Sequence, residues 1–451
     1  MNRKLFGTDG IRSRAGSFPL NAAAVEAIGR AIGEKLGGTV LVGQDTRISS
    51  PWIFELLRSG VAQTPAAIYD AKVVPTPAVA LLTKTGEYSG GVMISASHNP
   101  FEDNGVKVFS SDGTKLNDEA EAEIEQRIFQ LLPASAEQAV DAIPERPFQA
   151  RHDDEAVRRY QKLLSSQFKP GPWLKGLRIV ADCANGAMSR VAPTLLETLG
   201  AEVQVLHCSP TGKNINAACG AVHIEALHEA MKRSSADFGV AYDGDGDRSL
   251  FVSHTGRRID GDAVLLLMAR RMQRLGRLIP PVVVGTLMTN FALEKLLAAE
   301  GIRLERVAVG DRFIFEQMRR GGGILGGEPS GHVIFPDFGL SGDGLFTTLK
   351  VAEALVEERA SLDDLTKDWI EAPQLLESIR VRQKIPLETI PAVQAKIDDV
   401  NARLQGFGRL VIRYSGTEPV LRVMIESDDA SRNRSLMEEL LDVIGRHIET
   451  I

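Results

Sequence analysis

GVMISASHNPFEDNGVKVF, residues 91–109, is the stretch from which the rest of the chain can be read. Its apolar run at residues 92–94 predicts a buried strand that ends at Ser95. Small and polar residues follow, and Asn99-Pro100 continues neither helix nor strand. Ser97 is therefore presented at a strand end beside His98. After a second turn at Asp103-Asn104-Gly105, a short strand carries Lys107. A hydroxyl, an imidazole and an ammonium group on one strand-edge loop suit the handling of phosphate. A surface turn with incidental polar residues fits this stretch about as well, so its surroundings must decide.

Upstream, FGTDGIR (residues 6–12) is a turn-rich loop ending on Arg12. Asn21 is placed to cap a helix whose Val25, Ile28, Ile32 and Leu36 share one apolar face. Residues 39–42 read as a β-branched strand that runs into the polar loop GQDTR. Helix, strand, then a polar loop at the strand's carboxyl end is α/β grammar, and ligands gather at such ends. Downstream, residues 118–132 read as an amphipathic helix and residues 133–153, with several Pro and Ala, as a boundary.

The same grammar then repeats. Strands are expected at residues 177–181, 203–206 and 238–242, with helices between them. A third pass gives a helix at 263–273, a strand at 282–288, a helix at 291–300 and a strand at 304–309, followed by the loop Gly310-Asp311-Arg312. From Ala372 the pattern changes to short strands at 378–383, 410–414 and 420–425 with helices at 391–404 and 431–448. The expected organisation is α/β: three α/β units and a smaller C-terminal α+β unit, at residues 1–150, 151–254, 255–370 and 371–451.

Three further motifs carry chemistry. In YDGDGDR (residues 242–248), Asp243, Asp245 and Asp247 alternate and can point to one side, while Gly244 and Gly246 allow tight curvature. Three hard oxygen ligands on a short loop suit Mg²⁺. An EF-hand is excluded, because its sixth position would be Arg248, its twelfth His254, and no helix precedes it. The competing reading is an acidic Asp-Gly turn, but clustered like charges repel without a cation. In GEPSGH (327–332), Glu328 and Ser330 offer an acceptor and a donor suited to sugar hydroxyls; a Pro-Ser-Gly turn competes. In RYSGTEP (413–419), Ser415, Gly416 and Thr417 can form an anion nest, with fork-shaped charge from Arg413 and from Arg422 nearby. A plain hairpin turn competes there. GxxxxGK[ST], GxSxG and HExxH are absent, so a P-loop, a serine hydrolase elbow and a zincin helix have no support.

Bulk properties set the limits. The 451 residues suggest about three domains on a prior of ~150 residues each, one fewer than the pattern gives. With 43% apolar and 25% charged residues the chain has ample core material for a soluble globular protein. A net charge of −7 argues for neither a nucleic-acid nor an anionic-membrane partner. It does not exclude an anionic substrate, since charges beyond a Debye length of ~8 Å are screened. Cys183, Cys208 and Cys219 are odd in number and lack metal-ligand spacing, so neither a disulfide framework nor a zinc site is expected. The opening residues run straight into Gly7-Thr8-Asp9-Gly10 without an apolar leader. No apolar run approaches the ~18 residues of a membrane span, so the cytoplasm is expected.

Taken in order, FGTDGIR, SASHNP, DGDGDR, the Glu-x-Ser-Gly-His loop and RxSGTEP resemble the α-D-phosphohexomutase superfamily over nearly the whole chain. GTLMTN (285–290), VGDR (309–312) and SGDG (341–344) resemble its glucosamine branch. The resemblance implies three related α/β domains with mixed sheets plus a smaller C-terminal domain, around one central cleft. It implies interconversion of glucosamine 6-phosphate and glucosamine 1-phosphate by intramolecular phosphoryl transfer. The route would be a phosphoserine enzyme and a bound 1,6-bisphosphate, feeding UDP-N-acetylglucosamine and peptidoglycan precursors. Ser97 matches the phosphoserine and, with Asp243, Asp245 and Asp247, the ligands of one Mg²⁺ per chain. Arg12 and Lys107 match cleft residues used for phosphate contact and acid–base help, and Lys107 and His98 both stand as the general acid/base. Arg248, Asp311, Arg312, Glu328, Ser330 and His332 fall to the substrate, and Arg413, Ser415, Gly416, Thr417 and Arg422 to its phosphate.

The implied partner is a small phosphosugar, with no nucleic acid and no membrane; a homodimer stays open. Two positions depart from the pattern. Pro329 stands where an amide residue is usual, which leaves glucosamine versus glucose or mannose phosphates open, and Tyr414 stands where proline is usual. Readings outside the mutases are a Mg²⁺-dependent sugar phosphatase and a non-catalytic sugar-phosphate sensor.

Overall fold

A computed structural model describes residues 5–144, 149–415 and 419–450. The chain forms two compact units, Met1–Thr286 with Val307–Thr366, and Leu287–Arg306 with Lys367–Ile451.

The first unit contains three sheets built on one plan. In the first, strands Thr39–Gln44, Ala67–Val73 and Gly90–Ile94 run parallel. Strands Asp103–Ser110 and Gly10–Arg14 extend it antiparallel. Gly90–Ile94 is buried at every position, as expected of a strand covered on both faces. The helix Ala22–Leu36 begins where expected, with the Asn21 side chain accepting the Ala24 N–H, and buries Val25, Ile28 and Ile32 against Val40, Val42, Val92 and Ile94.

The second sheet has Phe238–Tyr242, Arg178–Asp182 and Glu202–Leu206 in parallel, with Ser249–Ser253 and Arg258–Ile259 antiparallel at one edge. Its parallel strands release Asp243, Cys183 and His207 into loops at one end. In the third sheet, Val282–Thr286 runs parallel to Gly326–Gly327, which pairs antiparallel with Val333–Ile334. A parallel core with an antiparallel margin thus recurs three times, giving three α/β domains.

Some elements differ from expectation. Helices Thr76–Thr85 and Gly344–Glu358 have no counterpart in the periodicity reading; both are buried over most of their surface and so lack an amphipathic stripe. Asp311 and Arg312, expected in a loop with Gly310, instead begin the helix Asp311–Gly321, entered through Gly310 at φ 131°.

The second unit carries the smaller C-terminal domain. Its sheet is antiparallel, Gln374–Arg380, Val420–Ser427 and Gly408–Tyr414. Helices Pro391–Leu404 and Ala430–His447 pack against it through Val393, Val400, Val423, Ile425, Leu436 and Leu440. The strand Gln374–Arg380 starts four residues before the expected 378–383, because this edge strand is mostly exposed and shows little alternation. Among the described residues no helix is long and apolar enough to cross a membrane.

Candidate active site

Ser97 follows the buried strand Gly90–Ile94 and adopts φ 52°, a left-handed conformation that costs free energy for a residue with a Cβ. The surroundings hold it there. Its N–H donates to Ser95 Oγ at 2.9 Å. Its carbonyl accepts from the Arg47 guanidinium and from the Asn216 amide, each at 2.9 Å. Arg47 is fully buried, paired with Asp45 at 2.8 Å, and donates also to the carbonyls of Asn99 and Asp103. A buried guanidinium with this many acceptors fixes the loop's path. The Ser97 hydroxyl then donates to Asp243 Oδ2 at 2.6 Å, with His98 Nδ1 3.4 Å from the same Oγ. Gly244 permits this approach, since a Cβ there would stand 2.6 Å from the Ser97 carbonyl oxygen.

Asp243, Asp245 and Asp247 are all buried, and one oxygen of each lies within 4.8 Å of the others. Asp245 Oδ2 accepts from the Thr76 hydroxyl at 2.5 Å and from Lys107 Nζ at 2.8 Å. Lys107 Nζ lies 3.7 Å from Asp247. Asp243 Oδ1 accepts the Arg248 N–H at 3.2 Å. Asp245 Oδ1 and Asp247 Oδ1 are buried with no hydrogen-bond partner. Buried carboxylate oxygens left in that state are costly, and a hard divalent cation is the group that satisfies them. The charges tell the same story. Burial, then Asp247 and Asp245, push the Asp243 carboxyl well above its usual range. Burial acts the same way on Asp247, but Lys107 and His332 outweigh it and hold that group well below. Burial would lower the Lys107 ammonium, yet Asp245, Asp9 and Asp247 hold it well above the ordinary lysine range.

The network continues outward. Lys107 also pairs with Asp9 at 3.0 Å, and Asp9 is bonded to Lys115 and Arg12. Lys115 reaches Asp311 at 2.7 Å. His332 Nε2 accepts the Gly342 N–H at 3.0 Å, so the ring carries its proton on Nδ1, 3.6 Å from Asp247 Oδ2. Glu328 accepts the Gly310 N–H at 3.0 Å and the Ser330 hydroxyl at 3.3 Å. Arg248 Nε lies 3.8 Å from Asp247. Arg12, Ser97, His98, Lys107, the three aspartates, Arg248, Asp311 and His332 therefore form one connected set, with Glu328 and Ser330 alongside. Arg312 is turned away from it and pairs with Asp118 at 2.5 Å and Glu316 at 3.0 Å.

Five residues in this set were not singled out from the sequence. Asp9 lies inside FGTDGIR and Arg47 inside GQDTR, so both were in view. Thr76, Lys115 and Asn216 had no local signal.

In the second unit, Arg413 and Arg422 stand directly opposite each other across the strand pair. Among the described residues neither makes an ion pair, and facing like charges are unfavourable, so the ribbon suits an anion. The Ser415 N–H donates to the Val420 carbonyl at 2.7 Å and Lys384 donates to the Ser415 carbonyl at 2.7 Å. Gly416 and Thr417 lie outside the described residues.

Phosphoglucomutase/phosphomannomutase alpha/beta/alpha domains I, II and III match residues 3–134, 158–256 and 260–372, and the C-terminal domain of the same family matches 376–443. "Phosphoglucosamine mutase" of Solibacter usitatus is 44% identical, covering 99% of this chain and 100% of its own length. "Phosphoglucosamine mutase" of Cereibacter sphaeroides (strain ATCC 17025) is 44% identical over 98% of this chain and 99% of its own. In fold, the chain is similar to a phosphoglucomutase/phosphomannomutase family protein from Burkholderia thailandensis, with a TM-score of 0.77 and 23% identity over 98% of each chain. With four domain matches in order and relatives this similar over their full length, the chain belongs to the phosphoglucomutase/phosphomannomutase family.

Proposed function

We propose that this chain interconverts glucosamine 6-phosphate and glucosamine 1-phosphate through phospho-Ser97 and a bound 1,6-bisphosphate, supplying amino-sugar nucleotide synthesis. The observation that supports this most directly is the Ser97 hydroxyl, 2.6 Å from one member of a buried carboxylate triad with unsatisfied oxygens. Names of relatives 44% identical over full length support the amino-sugar substrate.

In the first half-reaction the bond between phosphorus and Ser97 Oγ breaks as one to sugar O1 forms, and the O1 proton passes to a base. In the second, the 6-phosphoryl group moves to Ser97, and O6 regains a proton. Mg²⁺ held by Asp243, Asp245, Asp247 and the Ser97 oxygen would neutralise charge on the transferring group. Lys107 and Arg248 add fixed positive charge, which matters because such transfers depend on positioning and neutralisation. Lys107, held as an ammonium by its carboxylates, is a poor proton acceptor. Burial, then Arg248 and Arg12, lower His98 to about 4, so its ring is neutral near pH 7 and free to accept a proton. Glu328 and Ser330 receive sugar hydroxyls, and Glu328 offers a carboxylate to a protonated amine. Arg413 and Arg422, with Ser415, Gly416 and Thr417, take a substrate phosphate. Residues 1–150 thus supply the nucleophile, 151–254 the metal loop, 255–370 the sugar loop and 371–451 a phosphate loop.

A coupled assay with glucosamine, glucose and mannose 6-phosphates tests the proposal. We expect kcat/KM for the glucosamine compound to exceed the others by about tenfold or more. Equal or reversed preference would move the chain to the hexose mutases. Release of inorganic phosphate without isomerised sugar would make it a phosphatase.

A further inference from the structure

The second sheet holds another cluster that the reaction does not use. Its strands Arg178–Asp182 and Glu202–Leu206 are neighbours in parallel register, Asp182 opposite Leu206. Asp182 ends one strand and His207 follows the other. A later loop returns Cys219 to the same place, so that one ligand atom each from Asp182, His207 and Cys219 lies within 4.8 Å of the others. Sequence spacing concealed this, because the three residues come from three separate loops.

We propose that Asp182, His207 and Cys219 bind a divalent cation of borderline softness, Zn²⁺ being the chemical type, separate from the Mg²⁺ site. A thiolate, an imidazole and a carboxylate are a donor set for zinc. An all-oxygen triad would instead favour Mg²⁺. Zn–S near 2.3 Å and Zn–N or Zn–O near 2.0 Å place tetrahedral ligand atoms roughly 3.3–3.5 Å apart, so the cluster closes on an ion with modest side-chain shifts. His207 Nδ1 supports the assignment: it is buried, stands 3.0 Å from Asp182 Oδ2, and yet makes no hydrogen bond. The supporting shell is already formed. Asp182 accepts the Ala184 N–H at 2.9 Å and the Gly220 N–H at 3.0 Å, and the Asn185 amide faces Cys219 Sγ at 3.9 Å. Asp182 and Cys219 are fully buried, while the His207 side chain is one-third exposed and gives the ion its entrance. Three protein ligands leave a fourth position for water.

The bound ion would tie together loops that are strained as they stand. Ala184, Asn185, His207, Asn216 and Ala218 all have φ between 47° and 57°. Those loops back onto the nucleophile: the Ala184 carbonyl accepts the Asn216 N–H, and the Asn216 amide holds the Ser97 carbonyl.

Cobalt titration of the full-length protein in saturating Mg²⁺ tests the proposal, because thiolate-to-cobalt charge transfer in the near ultraviolet cannot arise from the aspartate triad. We expect this band at one equivalent of Co²⁺, its loss on adding Zn²⁺, and a rise in Tm with either ion. Cys219→Ser should lose the band, Cys183→Ser and Cys208→Ser should keep it, and His207→Ala should weaken binding at least about tenfold. No band in the unsubstituted protein, or a band that persists in Cys219→Ser, would overturn the assignment. Should Cys219→Ser fail to fold, the band in the unsubstituted protein and its response to His207→Ala still decide.

Discussion

In the first unit three buried carboxylates crowd into one loop, and the protein meets them with its own cations: Lys107 2.8 Å from Asp245, and Arg248 3.8 Å from Asp247. In the second unit two guanidiniums, Arg413 and Arg422, face each other across a strand pair with no carboxylate partner among the described residues. The first cluster is partly balanced by the chain's own cations and keeps two carboxylate oxygens unsatisfied, whereas the second has no counter-charge of its own among the described residues. In the proposed reaction the first cluster is the place where bonds change, since fixed charges there need no rearrangement during transfer. In the same proposal the open cluster holds the substrate, whose anion would supply the missing charge. Removing a part should therefore damage turnover in the first case and affinity in the second.

The largest effect is expected from Ser97→Ala. It removes the proposed acceptor of the phosphoryl group, and turnover should fall by on the order of 10⁴-fold or more while the circular dichroism spectrum and Tm stay close to those of the unsubstituted protein. Retained turnover would place the nucleophile elsewhere. Next, Arg413→Ala deletes a charge-assisted contact worth roughly 1.5–3 kcal/mol, so KM should rise about tenfold to a hundredfold with kcat much less affected. A kcat-only effect would erase the contrast between the two clusters.

The last expected effect is on stability rather than turnover, and concerns a carboxylate with no cation partner among the described residues. Asp343 is buried, accepts the Phe346 N–H at 2.9 Å and the Tyr160 hydroxyl at 2.8 Å, and burial raises it from 3.8 to about 6. A carboxyl raised in the fold contributes stability that is complete below its unfolded value and lost as pH rises through its folded one. The stability of the parent relative to Asp343→Asn should therefore fall by at most about 3 kcal/mol between pH 4 and pH 7. Chemical denaturation of both proteins across that range measures it, and a pH-independent difference would show that Asp343 is compensated after all.

What could be read from the sequence was what the chain places close together along itself. Alternation in YDGDGDR put three carboxylates on one side, and the break after Ile94 put Ser97 at a strand end; each needs only a few consecutive residues. The bracing of that serine could not be read, since Arg47 and Asn216 reach its carbonyl across 50 and 119 residues. The Lys115–Asp311 link spans 196 residues and is equally invisible locally. Arg312 went the other way: its place beside Asp311 suggested a shared role, but the helix Asp311–Gly321 turns the two side chains to different partners. Helix Thr76–Thr85 escaped because periodicity needs a wet face and it has almost none.

The double grip on the Ser97 carbonyl has a consequence for specificity. Arg47 comes from a loop of the first sheet and Asn216 from a loop of the second, so the aim of the hydroxyl is set jointly by those two layers. The Glu328 and Ser330 loop belongs to the third sheet and takes no part in that grip. Under the proposed roles, changes in the Glu328 and Ser330 loop would alter which sugar is read and leave this grip untouched, whereas slippage between the first two sheets would misdirect the Ser97 hydroxyl for every sugar alike.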